Sequence, residues 1–176
     1  MGHAKKSKRS ASFLLKCRHF LPRYISMPKE QALEKFLAKY TPAMAANGRR
    51  ALAKMRRLVP GAVEMIYDNY NGLVIGFGPT PRASEAIFSI VLYPRYMNLF
   101  FLQGATVPDP GRRLQGNGKV VRYIRLDDAA VLDQPEVRQL IERALYHAKV
   151  AMDPKGKRQT IVKAVAAKQR PRRASS

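Results

Sequence analysis

Glu64, Asp68, Lys119 and Arg122 are the residues of this chain whose types and spacing best suit chemistry. Two carboxylates sit in one strand-like run. A lysine and an arginine open another, just after a Gly-Asn-Gly segment at Gly116–Gly118. A carboxylate held beside Lys and Arg stays ionised and can serve as a base or frame an anion site. The plainer reading is a salt bridge that fixes a sheet edge. The glycine segment is no phosphate loop. Gly111 and Gly116 have the right gap, but Asn117 stands where Lys is required, and the glycines precede a strand rather than a helix. It reads instead as a hinge-like loop with glycines at positive φ. His3, His19 and His147 share no metal-ligand spacing. The single cysteine, Cys17, cannot build an intrachain disulfide and fits a reducing compartment. Asp127-Asp128 suits the start of a helical segment, where carboxylates favour the helix dipole. No Ser/His/Asp or Cys/His arrangement stands out. These residues therefore assign no catalytic set, no cofactor and no metal.

Charge is the second strong signal. The net charge is +21, and its distribution is uneven. Residues 1–28 carry seven Lys/Arg and no acid, and residues 154–176 carry eight and no acid. All twelve acids lie between Glu30 and Asp153. The expected organisation is a basic N-terminal tail (1–28), one domain (29–152) and a basic, mostly disordered C-terminal tail (153–176). Such arms suit a densely negative partner. Candidate contacts to nucleic acid are Arg49, Arg50, Lys54 and Arg57 in the middle, and Lys155, Lys157, Arg158, Arg170, Arg172 and Arg173 near the end. The alternative use of the tails is solubility. Met27 directly precedes the first helical pattern and is a candidate start, which would remove the N-terminal charge. An acid-free, Arg-bearing leader also has the look of a transit peptide. No apolar run approaches the roughly 20 residues of a membrane span.

The elements that must position these residues read as follows. Leu33, Phe36, Leu37 and Tyr40 recur at helical spacing after Pro28. Thr41-Pro42 then caps and opens a second helix, which runs to about Val59 and ends at Pro60-Gly61. Leu52, Met55, Leu58 and Val59 form its apolar side, and Arg49, Arg50, Lys54, Arg56 and Arg57 its basic outer face. Five strand-like runs follow. The first two flank Asn71-Gly72, a pair favoured in type I′ hairpin turns. The last starts near Lys119. Asp133 and Glu136 have capping-box spacing at the head of a third helix, whose stripe is Val137, Leu140, Ile141, Ala144 and Leu145. Residues 159–168 could add a short helix within the tail. The fold class is thus α+β: a five-stranded, mainly antiparallel sheet with the helices packed on one face. Phe88, Tyr93, Tyr96, Phe100, Phe101 and Tyr123 could form a base-stacking platform on an open sheet face. In a sheet covered on one side, about half of them belong to the core.

The run Arg57–Asp68 resembles the entry to the sheet in the YdhG-like family (domain of unknown function 1801), where a helix ends at Pro and a Glu and an aromatic residue follow in the first strand. Leu114–Ile124 is similar to the family's second signature, Gly, Gly-Lys, Arg and then an apolar strand, and Tyr96–Leu102 resembles the strand before it. The resemblance spans roughly residues 30–150 and implies a compact, frataxin-like α+β architecture in an uncharacterised, bacterial, cytoplasmic protein. A frataxin-like role in iron handling has been suggested within that family. Such a role needs clustered carboxylates, and the first helical segment has only Glu30 and Glu34 among lysines.

Three functions follow as expectations. The first is a non-catalytic module that binds a small ligand or protein, with basic tails that associate non-specifically with nucleic acid. The second is a small enzyme with a Glu64/Asp68/Lys119/Arg122 cleft. The third is iron binding.

Overall fold

The computed structural model describes residues 29–173. Three helices, α1 (Lys29–Leu37), α2 (Pro42–Leu58) and α3 (Pro135–Tyr146), join six strands. The strands are β1 (Val63–Asp68), β2 (Leu73–Gly78), β3 (Phe88–Leu92), β4 (Met97–Phe101), β5 (Arg122–Leu126) and β6 (Gln159–Val165). The sheet is mixed and open, in the order β5-β4-β3-β2-β1-β6. The first five strands form an antiparallel meander, as short links between successive strands dictate.

The sixth strand corrects the sequence reading. Residues 159–165 form neither a helix nor a loose tail, but pair in parallel with β1. Thr160, Ile161, Val162 and Val165 supply β propensity that the surrounding lysines obscure. The direction follows from where the chain arrives. Residues 153–156 pack on Gly61, immediately before β1, so the next residues run alongside β1 in the same sense. Gly61 has φ +77°, and a Cβ there would lie 2.0 Å from the Asp153 carbonyl oxygen, so only glycine fits this junction. A bulge interrupts the β1–β6 register between Ile66 and Tyr67, where Lys163 is the extra residue on β6.

One core fills the space between the helices and the sheet. Ile66, Leu73, Ile75, Phe77, Phe88, Ile90, Leu99, Phe101 and Ile124 meet Leu37, Leu52, Met55, Val137 and Ile141 there. Thr41 caps α2 by accepting from the Met44 N–H, as its position predicted. Two local expectations fail. The hairpin turns at Tyr70-Asn71, closed by the Asn69 N–H donating to the Gly72 carbonyl at 3.0 Å, and not at Asn71-Gly72. No residue of that turn has positive φ, which excludes type I′. Asp133 does not cap α3 either. Gln134 precedes Pro135 at the helix start, and Asp133 instead pairs with Lys54 and Arg138. Asp128 does open a helical segment, accepting from the Ala130 N–H at the head of the 3-10 turn Ala129–Asp133.

Candidate functional site

Strand alternation puts Glu64, Ile66 and Asp68 on the face of β1 that meets the helices. Both carboxylates are fully buried. Glu64 accepts two hydrogen bonds from the Arg56 guanidinium of α2, at 2.7 and 2.8 Å, and Thr160 of β6 donates to it at 3.4 Å. Asp68 is held by Lys39 Nζ, just past α1, at 2.5 Å, and by Arg172 at 3.2 Å. A buried charge must be paired, and each of these has its cation.

Lys119 and Arg122 lie elsewhere. β5 is four strands from β1, roughly 19 Å across the sheet. The Arg122 guanidinium turns back onto the carbonyls of Gly118 and Val121. The four predicted ligand residues therefore share no cleft, and the enzyme reading loses its geometry. Of the glycine loop, Gly116 does adopt positive φ (+98°), lying against the Tyr123 ring, while Gly118 does not.

The basic face of α2 is largely neutralised. Arg49 chelates Glu34, its closest contact 2.7 Å; Arg50 pairs with Asp128 at 3.0 Å; Lys54 pairs with Asp133. The Lys54 ammonium, first, and Arg138 hold the Asp133 carboxyl below the usual carboxylate range. Arg57 is exposed at the end of α2. Two of the C-terminal candidates are also spent on the fold. Arg172 is buried, donating to the Asp68 carboxylate and to the Asn69 and Tyr70 carbonyls. Arg173 donates to the Ala38 and Tyr40 carbonyls at the end of α1. Residues 166–173 thus lash the end of the chain to the α1–β1 corner. Lys155, Lys157, Arg158, Lys163, Lys168 and Arg170 remain exposed, and none forms an ion pair among the described residues. They line the outer edge strand and its approaches, a ridge of cations without a carboxylate from Pro154 onward.

The aromatic residues divide as alternation requires. Phe88 and Phe101 are buried edge-to-face in the core, centroids 5.4 Å apart. Tyr93, Tyr96, Phe100 and Tyr123 stand half-buried on the other sheet face. Tyr93 and Tyr96 stack at 4.5 Å, and Phe100 and Tyr123 meet at 5.5 Å. The Arg125 guanidinium lies 4.2 Å from the centre of the Tyr96 ring, within cation–π range, and also pairs with Asp127. Arg125, Arg95, Ser89 and Asn98 on and around this face were missed from sequence. The parity of Asn98 and Arg125 relative to the apolar Leu99 and Ile124 was the signal available.

A cavity of about 130 Å³ opens between the end of α3 and the segments flanking β3 and β4. Its wall is mostly apolar (Ile87, Phe101, Val107, Ala144), with Glu85 and His147 also lining it. A hydrogen bond from the Thr80 hydroxyl, and then Arg82, lowers the Glu85 carboxyl from its ordinary value. Among the described residues, no three His, Cys, Asp or Glu side chains converge as a metal site would require, and no helix is long and apolar enough to cross a membrane. His3, His19 and Cys17 lie outside the described residues. No protein-family model matches the chain, and no curated protein or solved structure shows significant similarity to it.

Proposed function

We propose that this protein is a non-catalytic binding module that holds polyanions, nucleic acid first among them, on the cationic ridge of its C-terminal edge. The observation that carries this reading is the run Lys155, Lys157, Arg158, Lys163, Lys168 and Arg170: six exposed cations without an ion pair among the described residues, in a stretch free of carboxylates. The acids of the domain are largely committed to partners of their own, so little negative charge competes for the ridge. Contacts of this kind carry no base sequence and act through the phosphates. Lys163, set in a bulge on the edge strand, also protects that edge against strand pairing with another chain.

The YdhG-like kinship belongs to the same proposal. It is supported by the helix–helix–meander–helix order and by Pro60, which follows α2 directly before a first strand carrying Glu64 and Tyr67. A small apolar ligand in the cavity near His147 is the second reading, favoured by the apolar wall there.

The test is a salt titration of duplex DNA binding. Affinity that falls with a log–log slope of several units, near −0.9 per phosphate contact, supports the ridge. No binding at ~50 mM salt, or binding indifferent to salt, overturns it.

A further inference from the structure

The sheet face opposite the helices has its own chemistry. On β3, β4 and β5, Ser89 pairs across to Phe100 and Phe100 to Tyr123, while Val91 pairs to Asn98 and Asn98 to Arg125. At the hairpin end, Tyr93 and Tyr96 stack on each other. The tall rings and Arg125 stand out of this surface, and Ser89 and Asn98 are sunk between them. The smaller apolar cluster on this side of the sheet contains Val63, Met65 and Ala86 but no helical residue.

We infer that this face is a stacking platform for single-stranded nucleic acid, with Phe100 and Tyr123 taking bases and exposed Arg95 meeting phosphates, while Tyr96 is already sandwiched between Tyr93 and Arg125. The inference rests on the polyanion reading above and adds the strandedness of the partner. Three observations carry it. Aromatic rings half-exposed on an antiparallel sheet offer what unpaired bases need, a flat π-surface beside cations. β3, β4 and β5 themselves carry no carboxylate, the nearest being Asp127 just past β5, which pairs with Arg125, and exposed Arg95 sits at the tip between the stacked tyrosines. Asn98 is only 6% exposed, and among the described residues its buried Oδ1 accepts no hydrogen bond, an unsatisfied polar atom just beneath this face. A second copy of this chain fits the face less well, because both copies would bring a charge of +21.

The experiment compares a 20-nucleotide oligothymidine with a mixed duplex of the same length, using full-length protein at fixed salt. Intrinsic tyrosine fluorescence and anisotropy of labelled DNA are the readouts. The platform predicts tighter binding of the single strand, with quenching of tyrosine emission. Phe100→Leu and Tyr123→Leu keep apolar bulk but remove the ring; each should weaken the single strand about tenfold and leave the duplex unchanged. A circular dichroism melt checks that both variants fold, and Phe100→Met or Tyr123→Met stands in for either that does not. Equal affinity for both DNAs, or single-strand binding unaffected by these variants, overturns the platform while leaving the cationic ridge intact. Failure to bind either DNA removes the ridge reading as well. Sedimentation showing a dimer that Phe100→Leu dissociates would give the face to a second copy and also overturn the inference.

Discussion

Arg172→Ala should unfold this protein far more readily than its place four residues from the end of the chain suggests. The side chains of Arg172 and Asp68 are 2% and 1% exposed, and their groups meet at 3.2 Å. The same guanidinium also donates to two carbonyls of the β1–β2 turn and lies over the Tyr40 ring at 5.8 Å. Truncation leaves the buried Asp68 carboxylate with one remaining cation, Lys39, whose side chain is 38% exposed. Removing one partner of a buried pair costs ~3–5 kcal/mol. Lys39 keeps part of that compensation, so a loss of about 3 kcal/mol is expected. For a folded body of this size, that lowers Tm by roughly 6–12 °C. Urea denaturation followed by circular dichroism measures it. The companion variant Asp68→Asn removes the buried charge, and the double variant should lose clearly less than the sum of the two singles. A Tm for Arg172→Ala within about 1 °C of the parent would refute the account of the C-terminal segment as part of the fold.

Other outcomes follow from the same geometry. Arg56→Ala leaves Glu64 buried without its main cation and should cost about 3 kcal/mol in urea unfolding. Gly61→Ala forces positive φ on a residue with a Cβ and drives it into the Asp153 carbonyl, so β6 should detach and residues 159–165 lose hydrogen-exchange protection. Tyr40 donates to the Leu92 carbonyl and accepts from the Leu73 N–H, and burial pushes its phenol from 10.0 up to about 12. The unfolded chain ionises this phenol first. Its stabilisation is therefore fully present below pH 10.0 and lost as the pH rises through about 12, and Tyr40→Phe should flatten that decline in a pH series of melts.

Much of the fold was legible in the sequence because its signals were local. Thr41-Pro42 announced a helix start, Pro60-Gly61 an end, and apolar runs broken by turn residues the five strands of the meander. β6 was not legible. Its lysines resemble those of a solvated tail, and its partner, β1, lies about 95 residues earlier in the chain. The same distance hid the site errors. Charge counting placed Arg172 and Arg173 among free cations, whereas the fold commits them to Asp68 and to the end of α1. It gave α2 an open basic face, whereas Glu34, Asp128 and Asp133 come from other segments to meet it. Glu64 and Lys119 were joined by residue type alone, and strand order separates them. The aromatic split between core and open face was legible, since parity alone decides it.

Cutting off the C-terminal residues would be a poor test of the ridge, because the cut also removes the Arg172 lashing. The direct measurement is the salt dependence of duplex DNA binding for the parent and for a variant carrying Lys155→Gln, Lys157→Gln, Arg158→Gln and Lys168→Gln, substitutions that spare both buried ion pairs. The account predicts weaker binding and a log–log slope shallower by up to about 0.9 for each cation that contacts a phosphate. A variant that melts like the parent and binds with the same slope and affinity would contradict it.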